Sequence, residues 1–237
     1  MPNPRSDILS NITSTYLAPF DDFNLDDLPT AIWVRELLCH CCGSLRRLVV
    51  DVPFRALYPE DDHLGVRNVL HDAFAQLSSL EEFVCVRDEL YLDLNTSLSE
   101  PPIWSTWSAL RKLALYNVDT ESTQFWDSLA GLEHLDTVIL TRADSLGSCN
   151  PKLAWLTRTH RPIKLIFVNV ERDHTYMFKP VWKQQDPKNL VDVMSVDVGT
   201  AFYGDESPIE LCQDWIKQNA IWGKLWACNA KPMRQPG

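Results

Sequence analysis

The sequence predicts an α/β fold, an irregular solenoid in which a parallel sheet of about five to six strands carries helices on its back. Three observations predict this fold. A short apolar motif recurs along the chain, helical spacing of apolar residues fills the stretches between its copies, and a tryptophan-rich helix follows near the C-terminus. Each intervening stretch is longer than the roughly twelve residues that a parallel crossover needs, so strands and helices should alternate.

The recurring motif is apolar-x-x-apolar-x-apolar, a pattern typical of a strand that buries one face. Successive copies start roughly 25 to 35 residues apart, which is a usual period for repeat architectures. The five copies begin at Leu45, Leu80, Leu110, Leu135 and Ile163.

The helices are predicted from apolar stripes and their end signals. Residues 30–42 carry apolar side chains at helical spacing and end before Gly43, a residue that commonly terminates helices. Residues 66–77 form a second stripe. A third helix follows Thr120, whose hydroxyl can cap a helix start.

The connectors and the C-terminal part are less regular. Residues 95–108 should form a loop with a short helix after Pro101-Pro102, and a sixth strand is expected at 190–196. A helix should start at Ser207, whose hydroxyl can cap it, because Pro208 suits the first helical position and Glu210 lies three residues after the cap. Its apolar stripe comprises Leu211, Trp215, Trp222, Leu225 and Trp226.

These predictions divide the chain into four regions. Residues 1–29 form an N-terminal arm, and residues 30–171 form the repeat region. Residues 172–206 are an irregular segment with the possible extra strand. Residues 207–237 form the C-terminal helix and tail.

Segments 44–50 and 109–115, within residues 32–146, resemble the leucine-rich-repeat portion of fungal F-box-type proteins. The resemblance implies repeats that present a substrate to a ubiquitin ligase, while a preceding F-box docks on the Skp1 adaptor. Here the F-box is absent or degenerate, because the first strand begins at Leu45, before such a motif could finish its helices. Skp1 is therefore an expected partner only if a cryptic F-box works.

Side chains alternate along a strand, so the residues between the core positions should face the concave side of the sheet. An unbroken apolar row there must be covered. Either a peptide or apolar small molecule binds it, or the chain's own C-terminal helix or N-terminal 25 residues pack on it, as apolar runs on both strand faces favour. The predicted apolar row consists of Val49, Val84, Ala114, Ile139 and Phe167, and the flanking candidate positions are Arg47, Glu82, Lys112 and Tyr116. These nine residues are the candidate binding residues.

Composition restricts the partners. A net charge of −10 argues against nucleic acid, and no apolar run is long enough for a membrane helix. Seven cysteines without an export signal indicate reduced thiols in the cytoplasm or nucleus. The adjacent ligands in residues 39–42 have the wrong spacing for zinc, so no metal is expected.

The sequence contains no catalytic motif such as Gly-x-Ser-x-Gly or His-Glu-x-x-His, and no glycine-rich phosphate loop. Neither a catalytic residue nor a cofactor is therefore predicted. If catalysis exists, an acid and base pair is expected where polar residues follow the parallel strands. Those residues are Asp88, Asp119, Asp144, Asp173 and His174.

Two functions follow from these observations. The first is a non-enzymatic protein-interaction scaffold that resembles the substrate-recognition repeats of F-box proteins and holds a protein partner. The alternative is an accessory protein or enzyme of a fungal small-molecule biosynthetic pathway, with the apolar concave face as its pocket.

Overall fold

A computed structural model describes residues 9–20, 25–94, 100–170, 186–200 and 206–233. Strands and helices alternate through most of these residues, as predicted. The strands are β1 (Ser14–Leu17), β2 (Arg47–Val50), β3 (Glu82–Cys85), β4 (Lys112–Tyr116), β5 (Thr137–Thr141), β6 (Ile163–Val170), β7 (Val191–Val198) and β8 (Lys231–Pro232). The helices are α1 (Leu28–Cys41), α2 (Val66–Ala75), α3 (Thr123–Gly131), α4 (Pro151–Leu156) and α5 (Pro208–Ile221), with 3-10 turns at Phe54–Ala56, Ile103–Thr106 and Leu225–Ala227.

The strands form one open sheet whose spatial order follows the chain order from β1 to β8. The first seven strands are parallel, and only β8 pairs antiparallel with its neighbour β7. The prediction of five to six strands was too low, because β1, within the predicted N-terminal arm, and β8 extend the two edges. β1 lies outside every copy of the motif, and β8 has only two residues, so neither carries the repeated signal.

Local signals located the helices well. Asp27 caps α1 by accepting from the Thr30 backbone nitrogen at 3.3 Å, and Ser207 caps α5 as predicted. The predicted Thr120 cap is wrong, because Ser122 accepts from the Phe125 nitrogen and starts α3. The Thr120 hydroxyl instead donates to the Asp144 carbonyl at 2.7 Å.

The sheet separates two apolar cores. Helices α1 to α4 pack on one face over the repeated motif positions, so that face carries the larger helix-side core. Helix α5 packs on the opposite face over the intervening positions and forms the α5-side core. The chain is therefore an α/β protein with three layers in its described part. None of the helices there has the length and apolar character needed to cross a bilayer.

Candidate functional site

The predicted apolar row exists, and it is covered. Val49, Val84, Ala114 and Ile139 are register partners across β2 to β5 and are all buried. Cys212, Ile216 and Ala220 of α5 belong to the same α5-side core. The C-terminal helix of the chain thus packs on this row, one of the two outcomes that the sequence left open.

Phe167 does not belong to the row. Ile139 pairs with Ile166, whereas Phe167 pairs with Leu140 and packs in the helix-side core. Alignment of the motif copies that start at Leu135 and Ile163 predicts the pairing between β5 and β6. The observed pairing differs from it by one residue along β6. Since side chains alternate along a strand, that displacement puts Phe167 on the opposite face.

The α5 stripe was only partly predicted. Trp215 and Trp226 pack against the α5-side core, and Leu225 is buried in it. Trp222 is 70% exposed because α5 ends at Ile221, so the predicted stripe runs past the end of the helix.

The predicted charged positions beside the row bind the C-terminal segment. Arg47 donates to the Ala220 carbonyl, and Lys112 forms an ion pair with Glu82 at 2.7 Å. Glu82 also accepts from the Trp226 indole nitrogen at 2.8 Å. These three charged side chains therefore hold α5 and the turn after it on the sheet.

Tyr116 is also buried in the α5-side core. Burial raises the pKa of its phenol, although the nearby Arg142 guanidinium opposes that shift. Six of the nine predicted binding residues are therefore buried under α5 or in the helix-side core, namely Val49, Val84, Ala114, Tyr116, Ile139 and Phe167. The other three, Arg47, Glu82 and Lys112, are partly exposed and pair with α5, with the turn after it or with one another.

A second charged group ties α5 to the ends of β2 and β3. Asp51 receives the Arg87 Nε at 2.6 Å, the Lys217 Nζ at 2.8 Å and the Tyr16 hydroxyl at 2.8 Å. Burial alone would raise the pKa of Asp51, but the hydrogen bonds from Lys217, Arg87 and Tyr16 hold it below its ordinary value. Asp51, Arg87 and Lys217 line a cleft of about 520 Å³, where the two cations pair with the carboxylate.

A further open concavity, which we call the strand-end cleft, lies where the chain leaves β2, β3 and β4. It has a volume of about 290 Å³. Parallel strands end at the same edge of a sheet, which brings the loops after them together and makes this edge a common binding region. Its apolar floor consists of Leu90, Trp104, Val118 and Phe125.

The walls of the strand-end cleft are acidic. They carry the carboxylates of Glu89, Asp93, Glu100 and Asp119 and one cation, Arg55. Arg55 is engaged, since both its Nε and a terminal nitrogen donate to the Glu89 carboxylate. Burial, followed by the carboxylates of Glu100 and Glu89, raises the pKa of Asp93, although the Arg67 guanidinium opposes that shift.

Trp104 is the unusual side chain of the floor. It is 1% exposed, and its indole nitrogen has no hydrogen-bond partner among the residues that the structure describes. Trp107, Trp126 and Trp155 in the same helix-side core each donate to a backbone carbonyl at 2.8 Å. Buried indole N–H groups are normally paired, so Trp104, which lines the cleft, carries a donor that lacks an acceptor in the described part of the chain.

A buried arginine fixes one wall of the cleft. Arg67 donates to the Asp93 carbonyl from Nε at 2.9 Å and from a terminal nitrogen at 2.7 Å. Its other terminal nitrogen donates to the Leu57 carbonyl at 2.5 Å. The guanidinium also lies 4.8 Å from the Tyr91 ring centroid. It therefore holds the loop after β3 in the shape that forms the cleft.

The polar residues proposed for catalysis have different environments. Asp88 is buried and accepts from the backbone nitrogens of Leu90 and Arg55 and from the Cys85 thiol. Burial raises the pKa of Asp88 to about 6. Its role here is to fix the loop, while Asp119 lines the cleft.

Asp119 and Asp144 pair through a backbone bridge, and both side chains are exposed. Asp173 and His174 lie outside the described residues. The structure thus places three of the five residues proposed for catalysis, with Asp119 and Asp144 on neighbouring loops. Within the described ranges, no group of three or more histidine, cysteine, aspartate or glutamate side chains could hold a metal ion.

Four residues in or beside the strand-end cleft were not predicted from the sequence, namely Arg67, Asp93, Glu100 and Trp104. Pro101-Pro102 and the tryptophans after them indicated only a connector, since unmatched loop residues carry no periodic signal. Comparisons of the chain with protein-family models, with curated proteins and with solved structures found no match.

Proposed function

We propose that the chain is a non-enzymatic protein-interaction scaffold that binds a protein partner at the strand-end cleft. In this proposal it is a leucine-rich-repeat-like array similar to the substrate-recognition repeats of F-box proteins. The observation that carries the proposal is the cleft itself, an open concavity with an apolar floor and acidic walls at the common edge of the parallel strands.

The covered sheet face supports this placement. A partner on the apolar row would have to displace α5, which is held by its own apolar contacts and by the groups around Asp51 and Glu82. The loops after β3 and β4 need no such displacement. Loops positioned by a rigid scaffold are where binding residues concentrate in α/β proteins.

Affinity capture with matched variants tests the proposal. The tagged chain is compared with the double variant Glu100→Gln/Asp119→Asn, which removes two cleft charges with little change in shape. The control is Glu60→Gln/Asp61→Asn, which removes two charges from exposed residues outside the cleft lining.

We expect a specific protein to co-purify with the wild type and the control and to be lost with the cleft variant. Recovery of Skp1 by all three forms would add a second binding surface, namely a working F-box. Recovery of the same proteins by all three forms, with none sensitive to the cleft variant, would contradict the proposed site.

A further inference from the structure

We infer that the strand-end cleft receives a basic side chain, arginine or lysine, from an extended segment of a protein partner. The inference rests on the proposed function and specifies the chemistry of the group that is bound. It follows from the charge of the cleft walls, from the size and apolar floor of the cleft, and from the donor of Trp104.

Charge complementarity sets the sign of the ligand. Among the described residues that line the cleft, four are carboxylates and one is a cation, Arg55, whose guanidinium is already paired with Glu89. Asp93 has Arg67 beside it, and the carboxylates of Glu100 and Asp119 also line the cleft. A bound cation would therefore offset like-charge repulsion between the walls, whereas an anion would add to it.

The size of the cleft is sufficient for a long side chain. A volume of about 290 Å³ lies at the lower limit of the roughly 300 to 1,000 Å³ typical of pockets for drug-sized ligands. Arginine and lysine have long apolar stems that pack on apolar surface while the charged head stays polar. The floor of Leu90, Val118 and Phe125 suits such a stem, and the carboxylates above it suit the head.

The Trp104 indole indicates a peptide. Its buried N–H lacks an acceptor in the described part of the chain, so a bound group that supplies one removes an unfavourable desolvation. An ammonium or guanidinium group cannot accept a hydrogen bond, but the carbonyls beside it in a peptide can. A basic residue within a chain therefore fits better than a free cation.

The test is a titration of the full-length chain followed through its nine tryptophan indole resonances in ¹H–¹⁵N spectra. The Trp104 signal is assigned with Trp104→Phe, which removes the N–H and keeps an aromatic ring. The probes are acetylated and amidated Gly-X-Gly peptides with X as arginine, lysine, norleucine or glutamate.

We expect the arginine or the lysine peptide to shift the Trp104 indole resonance saturably. The norleucine and glutamate peptides should leave that resonance unchanged. The variant Glu100→Gln/Asp119→Asn should raise the dissociation constant roughly fivefold to tenfold, as two partly exposed ion pairs are expected to contribute. The control Glu60→Gln/Asp61→Asn should bind like the wild type.

The inference is wrong if the norleucine peptide binds as tightly as the basic peptides, or if no basic peptide moves the Trp104 resonance. Either outcome is compatible with the proposed function if the cleft variant still fails to capture the partner that the wild type captures. Conversely, the basic peptides could bind while the cleft variant captures the same partners as the wild type. That result would support the inference about the ligand and contradict the proposed function.

Discussion

Asp88 is a buried carboxylate whose surroundings make it sensitive to pH. Its three hydrogen bonds favour the charged form, yet burial is the larger effect and raises its pKa to about 6. An unfolded aspartate has a pKa near 3.9, so the folded state binds the proton more tightly between these two values. Stability from this group is complete at low pH and is lost as the pH rises through about 6.

The variant Asp88→Asn isolates that contribution. The quantity of interest is the unfolding free energy of the wild type minus that of the variant. We predict that this difference is larger at pH 4 than at pH 7 by up to about 3 kcal/mol. The measurement is urea denaturation of both proteins at several pH values. Two parallel curves of unfolding free energy against pH would show that Asp88 does not titrate differently in the folded state.

Arg67 gives a second prediction at this scale. Replacing it by lysine keeps the charge but loses the fork that reaches both the Asp93 and the Leu57 carbonyls. We expect Arg67→Lys to destabilise the protein by about 2–3 kcal/mol in chemical denaturation. The control Arg46→Lys, at an exposed position, should change stability by less than about 0.5 kcal/mol. Equal effects of the two substitutions would contradict a special role for Arg67.

The residue scale shows where sequence reasoning is limited. Alternation along strands placed Val49, Val84, Ala114 and Ile139 in one row, because that rule depends only on local geometry. It misplaced Phe167, because the register of β6 depends on its pairing with β5. The unpaired Trp104 indole could not be predicted, since it depends on where distant carbonyls lie.

At the scale of elements, α5 is the helix that closes the second face of the sheet. Its buried side packs over small side chains of the row, including Ala114, which has no exposed surface. Close packing of this kind leaves little room for added volume.

We therefore predict that Ala114→Leu destabilises the protein by about 1–3 kcal/mol, because the larger side chain cannot fit between β4 and α5. Thermal and urea denaturation measure the effect. The matched control is Ala75→Leu at the exposed end of α2, which should be close to neutral. If Ala114→Leu were neutral as well, α5 would not be packed over the row.

The charged contacts at the end of α5 give another prediction. Glu82→Ala removes the acceptor for Trp226 and the partner of Lys112. We expect amide hydrogen exchange in residues 222–230 to become roughly tenfold faster, because a local opening there costs less free energy. The neighbouring Glu81→Ala, which loses only an exposed pairing with Arg46, should leave exchange in that segment unchanged. Acceleration by both substitutions would contradict a specific role for Glu82.

Elements whose signals are local were predictable, and those defined by tertiary pairing were not. The capping group at Ser207 and the stripe of α1 could be recognised in the sequence. β1 and β8 could not, since each is a strand only through its neighbour in the sheet. The docking of α5 on the apolar row was one of the two outcomes that the sequence left open.

At the scale of the whole molecule, one arrangement explains both the closed face and the open edge. The parallel order from β1 to β7 puts the strand ends on one edge, and the helices α1 to α4 fill one face. Since α5 fills the other face, the strand-end cleft is formed by loops that neither layer of helices covers. The alternating pattern of the sequence predicted the layers, whereas the cleft depends on irregular loops between them.

The central claim is that recognition occurs at the strand-end cleft while α5 stays docked. Hydrogen exchange measured by mass spectrometry, with and without the arginine peptide at saturation, tests it most directly. We predict slower exchange in residues 88–94 and 117–125 and unchanged exchange in α5. Faster exchange in residues 208–221, together with protection of β2 to β5, would contradict the claim, because it would mean that the ligand displaces α5 and occupies the sheet face.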